Sequence, residues 1–148
     1  MSHVRVRVHI AAPIDRVFGA LSDHERFLSD RLTTTKVIVA GKPDRNGLGS
    51  QREVSVGPAA RFVEEVTAWD PPRSYEYLIR ESSLPVAHEG GRVVLTPGAG
   101  GTDVEWTTRF QVPVPVVGPL LGYLAERIFV RAFTQLLRRA KSKLEPAA

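Results

Sequence analysis

A single α+β domain, in which a curved seven-stranded antiparallel sheet wraps around one long C-terminal helix, is the fold this sequence predicts. Three observations predict it: an alternating opening strand, a series of apolar segments separated by turn signals between 33 and 112, and a closing stretch with helical spacing.

The opening strand is Val4, Val6, Val8 and Ile10 alternating with Arg5, Arg7 and His9, the period of a half-buried strand. Pro13 then starts a short helix through Val17, Phe18 and Leu21. Ser22 followed by Glu25 has the capping-box spacing and predicts a second short helix directly behind it. From 33 to 112, Asn46-Gly47, Gly57-Pro58, Asp70-Pro71-Pro72 and the glycine-rich run 97–101 are turn signals. They divide the chain into six strands at about 33–41, 48–56, 60–69, 74–81, 87–96 and 102–112, with ends good to about two to four residues. Gly118-Pro119 opens the long helix, with proline at the permitted first-turn position. Leu121, Leu124, Ile128, Ala132, Leu136 and Ala140 recur along it, and Phe129 and Phe133 widen the stripe. So wide an apolar face needs the concave face of the sheet to lie on.

Composition narrows the function. The 148 residues suit one domain, 1–148, and 43% hydrophobic with 24% charged residues is ordinary globular composition. The absence of cysteine removes disulfides, thiolate metal sites and thiol nucleophiles, and fits a cytoplasmic setting. The alternating N-terminus is not a signal peptide, and the apolar stretch 112–124 is too interrupted by proline and glycine to span a bilayer. The net charge of +4 does not point to nucleic acid, because the densest basic group, Arg138, Arg139, Lys141 and Lys143, ends a helix whose dipole favours cations there. Four scattered histidines show no metal-ligand spacing, so no metal and no cofactor are expected. Ser55, Ser82 and Ser83 lack the strand-to-helix elbow of a hydrolase nucleophile, and the glycine run at 98–101 joins two strands where a phosphate cradle opens a helix.

The turns also set a register. Pairing Val54 with Phe62 places Arg52 opposite Glu64. Pairing Trp69 with Ser74 sets Val66 against Tyr77 and Ala68 against Tyr75. Pairing Leu95 with Val104 sets Val93 against Trp106 and Gly91 against Thr108. One inner face results, apolar through Val54, Phe62, Val66, Ile79, Val93, Leu95, Val104, Trp106 and Phe110. Arg52, Glu64, Tyr75, Tyr77 and Glu81 share it, with Glu89 at its margin. Charges on an inward face are costly unless paired. Arg52 and Glu64 thus form either a pair that orients a ligand head or activates a water, or a structural ion pair, inside or at the wet mouth of the sheet, and a one-residue slip would turn both to solvent. Tyr75, Tyr77 and Trp106 join apolar bulk to a polar tip, which suits a pocket wall and equally suits a core.

Nearly the whole chain resembles the START-like (SRPBCC) superfamily, which includes the major birch-pollen allergen and polyketide cyclase/dehydratase-like proteins. The segments that carry the resemblance are 8–18 (VHIAAPIDRVF), 65–73 (EVTAWDPPR) and 101–106 (GTDVEW). The resemblance implies a helix-grip fold with a cavity for a hydrophobic small molecule such as a lipid, polyketide or aromatic metabolite. The expected ligand-binding residues are Arg52, Phe62, Glu64, Val66, Tyr75, Tyr77, Glu81, Trp106, Thr108 and Ile128, and the expected state is a monomer or homodimer. Two alternatives stand beside binding. One is a polyketide cyclase or dehydratase using the same cavity through Tyr, Glu or Arg. The other is peripheral docking through Val112 to Leu121, a segment that also reads as a gate at the pocket mouth or as a rigid connector.

Overall fold

The computed structural model describes residues 1–146. It follows the predicted order: β1 (Ser2–Ile10), α1 (Ile14–Leu21), α2 (His24–Phe27), β2 (Thr33–Val39), β3 (Gln51–Val56), β4 (Ala60–Asp70), β5 (Ser74–Ser82), β6 (Ala87–Gly98), β7 (Gly101–Gln111) and α3 (Gly118–Leu144). The seven strands form one antiparallel sheet in the order β1-β7-β6-β5-β4-β3-β2. This is the helix-grip arrangement. Hairpins join β2 through β7 in sequence. β1 reaches its place beside β7 because α1 and α2 carry the chain across the bowl to the far edge.

The strands alternate for the expected reason. Val4, Val6, Ile10, Val93, Leu95, Val104, Trp106 and Phe110 are buried on the concave face, where they meet Val17, Phe18 and Leu21 of α1 and Phe27 of α2. Removing such side chains from water contributes about 25 cal/mol per Å² and is the main force closing the bowl. The register agrees with the turn-based pairing at Arg52–Glu64, Val54–Phe62, Val66–Tyr77, Val93–Trp106 and Leu95–Val104.

Three irregularities shift it elsewhere. A break between Val66 and Ala68 pairs Trp69 with Tyr75 in place of Ser74, so Trp69 turns inward and meets the Phe18 ring edge-on at 5.1 Å. An extra residue in β5 at Arg80 sends Glu81 to the outside, where its side chain is 66% exposed and faces Arg61 at 3.7 Å. A break at Glu89–Gly90, with Gly90 at φ 146°, leaves Glu89 outside and brings His88 opposite Phe110. A one-residue slip exchanges the faces of a strand, and each of these does so locally.

The capping box is not formed. Ser22 ends α1 and its hydroxyl donates to the Phe18 carbonyl, while Asp23 is the residue ahead of α2. Glu25 instead accepts from the Val37 backbone N–H and from Arg45, fastening α2 to β2 and to the loop behind it. The Asn46-Gly47 signal belongs to a long connection, 40–50, in place of a tight hairpin.

Helix α3 runs alongside β1 and is fastened to that edge strand at both ends. Glu126 accepts from the His3 backbone N–H at 3.1 Å, Lys141 donates to the His9 carbonyl at 2.8 Å, and Glu145 accepts from the Ala11 N–H at 2.9 Å. These side chains satisfy strand groups that would otherwise stand open at the sheet edge. Gly122 permits the approach, since a Cβ there would lie 2.7 Å from the Ser2 hydroxyl. Phe129 meets Phe110 edge-on and Phe133 stacks on Trp106 with ring centres 3.7 Å apart.

The expectation that the whole stripe lies on the sheet is corrected. Ala125, Phe129, Phe133, Leu136, Leu137 and Ala140 pack against the core, but Leu121, Leu124 and Ile128 do not, and Ile128 is 65% exposed. Because α3 leans toward β1 and β7, its N-terminal half covers only part of the bowl.

The start of β7 is held closely against the end of β1. A Cβ on Gly101 would sit 2.2 Å from the Ile10 carbonyl oxygen and 2.8 Å from the Ala11 Cα. Gly101→Ala should therefore destabilise the fold by about 2–3 kcal/mol, read as a lower urea midpoint at unchanged slope.

Candidate functional site

The floor of the bowl is built around one buried cation. Arg52 on β3 is only 1% exposed. Its Nε donates to Glu64 Oε1 on β4 at 2.7 Å, its Nη1 lies 2.7 Å from His24 Nδ1 on α2, and its guanidinium carbon stands 4.7 Å from the centre of the Tyr77 ring on β5. A guanidinium has no acceptor, so His24 Nδ1 accepts and His24 Nε2 carries the hydrogen that goes to the Asn46 carbonyl at 2.9 Å. Burial pulls the His24 pKa down, and the Arg52 charge adds to it, to about 3. This histidine is neutral at ordinary pH and acts as the guanidinium's second acceptor.

A second string of polar contacts crosses the floor beside it. Trp106 Nε1 donates to the Tyr77 hydroxyl at 2.8 Å. His88 Nδ1 accepts from the Ile79 backbone N–H, so its Nε2 donates to Thr108 Oγ1 at 2.7 Å, and the threonine hydroxyl turns to the Gly90 carbonyl. The His88 ring stacks over Tyr77, and burial followed by the Arg52 charge lowers its pKa to about 4. Burial likewise pushes the Tyr77 phenol well above its ordinary value. Gly91 makes this packing possible, because a Cβ there would fall 2.1 Å from the Tyr77 ring. Tyr75 lies deeper and donates to the Leu21 carbonyl at 2.9 Å, closing the α1 end of the bowl.

Of the expected site residues, Arg52, Glu64, Tyr75, Tyr77, Trp106 and Thr108 do gather on the inner face, with Phe62 and Val66 buried among them. Glu81 does not, because the extra residue in β5 turns it outward. Ile128 stands apart on the exposed side of α3. His24 and His88 are the members the sequence reading missed. The Gly90-Gly91 pair was the available signal for His88, since adjacent glycines in a strand mark a bulge and a close approach. His24 carried no local signal. Among the described residues, no group of three or more His, Asp or Glu side chains is placed to hold a metal.

Two open cavities lie elsewhere. One of about 690 Å³ runs along the β1 edge between Val6, Val8, Leu137, Arg138 and Lys141, and one of about 220 Å³ lies between Phe27 and Arg139. Neither is lined by the residues of the floor.

The end of the floor at His88 and Phe110 lies toward the N-terminal half of α3, where Phe129 meets Phe110. At 3.6 residues per turn, Leu121, Leu124 and Ile128 share the flank opposite Glu126 and Leu137. Glu126 is bonded to β1 and Leu137 faces it, so the leucine–isoleucine flank is turned away from β1 toward the rest of the bowl. About three turns further on, Arg139 occupies that flank and is covered by α2, donating to the Arg26 and Phe27 carbonyls at 3.0 and 2.9 Å. The N-terminal half lacks such a cover. Residues toward this end, Ile79, Val86, His88, Val112 and Phe129, are only half-buried.

A family model described as polyketide cyclase / dehydrase and lipid transport matches residues 1–145. The chain belongs to this family. No curated protein matches it. Solved structures resemble it in fold. The protein TTHA0849 from Thermus thermophilus superposes with a TM-score of 0.75 at 22% identity, over 96% of both chains. A START superfamily protein from Mycobacterium smegmatis gives 0.76 at 16% identity, over 97% of this chain and 99% of that one. Ara h 8.0201 gives 0.69 at 14% identity, over 96% of each. At these identities the likeness establishes the SRPBCC fold. No helix among the described residues is long and apolar enough to cross a membrane.

Because His24 is held far below its unfolded pKa of about 6.5, the unfolded chain binds a proton that the native state refuses. Its contribution to stability is intact above that pH and falls as the pH drops toward the folded value. Between pH 7 and pH 4 the loss should be on the order of 3 kcal/mol, visible as a falling urea midpoint. His24→Asn, which keeps an acceptor for Arg52 and cannot titrate, should flatten this acid limb.

Proposed function

We propose that this member of the family binds a hydrophobic small molecule in the mouth of the bowl, between the Leu121–Leu124–Ile128 flank of α3 and the floor at Glu64, Tyr77, His88 and Phe110. The observation that carries the reading is the uncovered half of α3. An apolar helix flank is normally buried by the body it packs on, and here it is exposed beside a bowl whose sheet side carries half-buried Ile79 and its loop half-buried Val86. The family's description and the START superfamily neighbour are in keeping with a lipid-like, polyketide-like or aromatic ligand. Covering that flank would contribute about 25 cal/mol per Å² before the cost of association.

The reading is one of binding in preference to turnover. Both histidines use their two ring nitrogens on protein partners, and Arg52 is sealed beneath the floor. None of the three is free to move a proton to a ligand. The connector 112–117 fits a gate. Val116 is 95% exposed at φ 70°, a backbone region β-branched residues avoid, and it precedes the first turn of α3. Relief of that strain would accompany a lifting of the helix start.

Leu124→Asp and Ile128→Asp alter exposed positions and should leave thermal stability nearly unchanged. Each should weaken binding of the neutral fluorophore 1-aminoanthracene by at least about tenfold. Unaltered affinity in both would refute a site on this flank. Native mass spectrometry of the protein from its own source should detect a co-purified apolar molecule.

The exposure of Val116, Val117 and Leu120 also favours a second reading, peripheral docking on a membrane. That reading expects co-sedimentation with liposomes that Val116→Asp and Leu120→Asp abolish. Binding unaffected by both substitutions would remove it.

A further inference from the structure

We infer that the floor selects neutral ligands bearing a hydroxyl group and rejects carboxylic acids, through the free oxygen of Glu64. The inference rests on the binding reading above and adds the chemistry of the ligand's polar end. Its basis is the direction of the Arg52–Glu64 pair. The cation is the sunken member, 1% exposed and enclosed by His24, Tyr77 and Glu64. The anion is the outer member, with its side chain 12% exposed on the same inward face, in register with Ile79. Glu64 Oε1 takes the Arg52 hydrogen bond, and Oε2 has no hydrogen-bond partner among the described residues. A molecule settling on the floor therefore meets a carboxylate oxygen before it can meet the guanidinium.

The other polar groups there do not compensate. His88 and His24 are neutral, with both ring nitrogens engaged, and Thr108 holds His88 and Gly90. A ligand carboxylate would lie against Glu64 with no accessible cation, in surroundings where like charges are poorly screened. An ammonium would arrive at an anion whose charge Arg52 already balances, and would lose its hydration for one hydrogen bond. A hydroxyl on an apolar frame loses little hydration and donates a charge-assisted hydrogen bond to Oε2. Aromatic and alicyclic alcohols are thus the class that fits, with the ring system under the α3 flank and the hydroxyl toward β4.

The test compares naphthalene, 2-naphthol and 2-naphthoate at pH 7 by calorimetry or by protein-observed NMR titration with the full chain. The expected order is naphthol tightest, at least about tenfold over naphthoate, with naphthalene between them. In Glu64→Gln, which keeps an acceptor oxygen and removes the charge, the naphthol–naphthoate gap should close to about threefold or less. The wild-type comparison decides by itself if that variant fails to fold. Naphthoate binding as tightly as naphthol, or naphthol no tighter than naphthalene, overturns the selection while leaving the apolar site intact. Failure of all three to bind overturns both the selection and the site.

Discussion

The structure turns on keeping one guanidinium charged beneath a hydrophobic sheet. Arg52 cannot shed its proton, and a lone buried charge would cost far more than the fold's net stability. Four elements meet to satisfy it. β3 supplies the cation, β4 the carboxylate, β5 the face of Tyr77, and α2 the neutral imidazole of His24. Removing a single partner from such a group costs about 3–5 kcal/mol, because the remaining charge is stranded. This explains why a helix of a single turn holds a fixed place. α2 cannot drift from the sheet without taking away a hydrogen bond that has no substitute, and Glu25 and Arg139 hold it from two further sides.

The same constraint shapes the bowl. With the cation at the centre, Tyr77 is drawn across the floor, and its hydroxyl becomes the acceptor for Trp106. Trp106 in turn presents its face to Phe133, a parallel stack contributing about 0.5–1.5 kcal/mol beyond the area it buries. The long helix is thus aligned by an aromatic contact that traces back through two hydrogen-bonding side chains to the ion pair. Its lateral position is set separately, by the backbone groups of β1 that Glu126, Lys141 and Glu145 satisfy. These two requirements together pull α3 toward the β1–β7 side of the sheet.

Much of this was legible in the sequence. Pro- and Gly-marked turns fix hairpin pairings, and pairings fix faces, so the Arg52–Glu64 and Val93–Trp106 partners followed from turn chemistry alone. What was not legible depends on information that alternation does not carry. Bulges at Thr67, Arg80 and Glu89 each reverse the faces beyond them, which misplaced Trp69, Glu81 and Glu89 and hid the inward turn of His88. The Ser22–Glu25 spacing satisfied a local rule, but the Ser22 hydroxyl turns back onto the Phe18 carbonyl of its own helix and Glu25 is claimed by the tertiary partners Val37 and Arg45. His24 lies in a one-turn helix, and its meaning arises only from a strand 28 residues further along the chain. For α3, periodicity revealed an apolar stripe and could not say what covers it.

That last distinction bears directly on function. The stripe is continuous in sequence from Leu121 to Ala140, yet it meets two different environments. Along the C-terminal half, α1 and α2 fill the bowl and the stripe is buried around Leu137 and Ala140. Along the N-terminal half, the same kinds of residue, Leu121, Leu124 and Ile128, stand exposed. If packing were the only demand on the helix, its first three turns would be expected to turn polar where the cover ends, as its outer face does at Arg127 and Arg131. They remain leucine and isoleucine, above a floor whose one partly accessible charge is Glu64. On the binding reading proposed above, the sequence of α3 serves two occupants of one bowl, the short helices at one end and an apolar guest at the other.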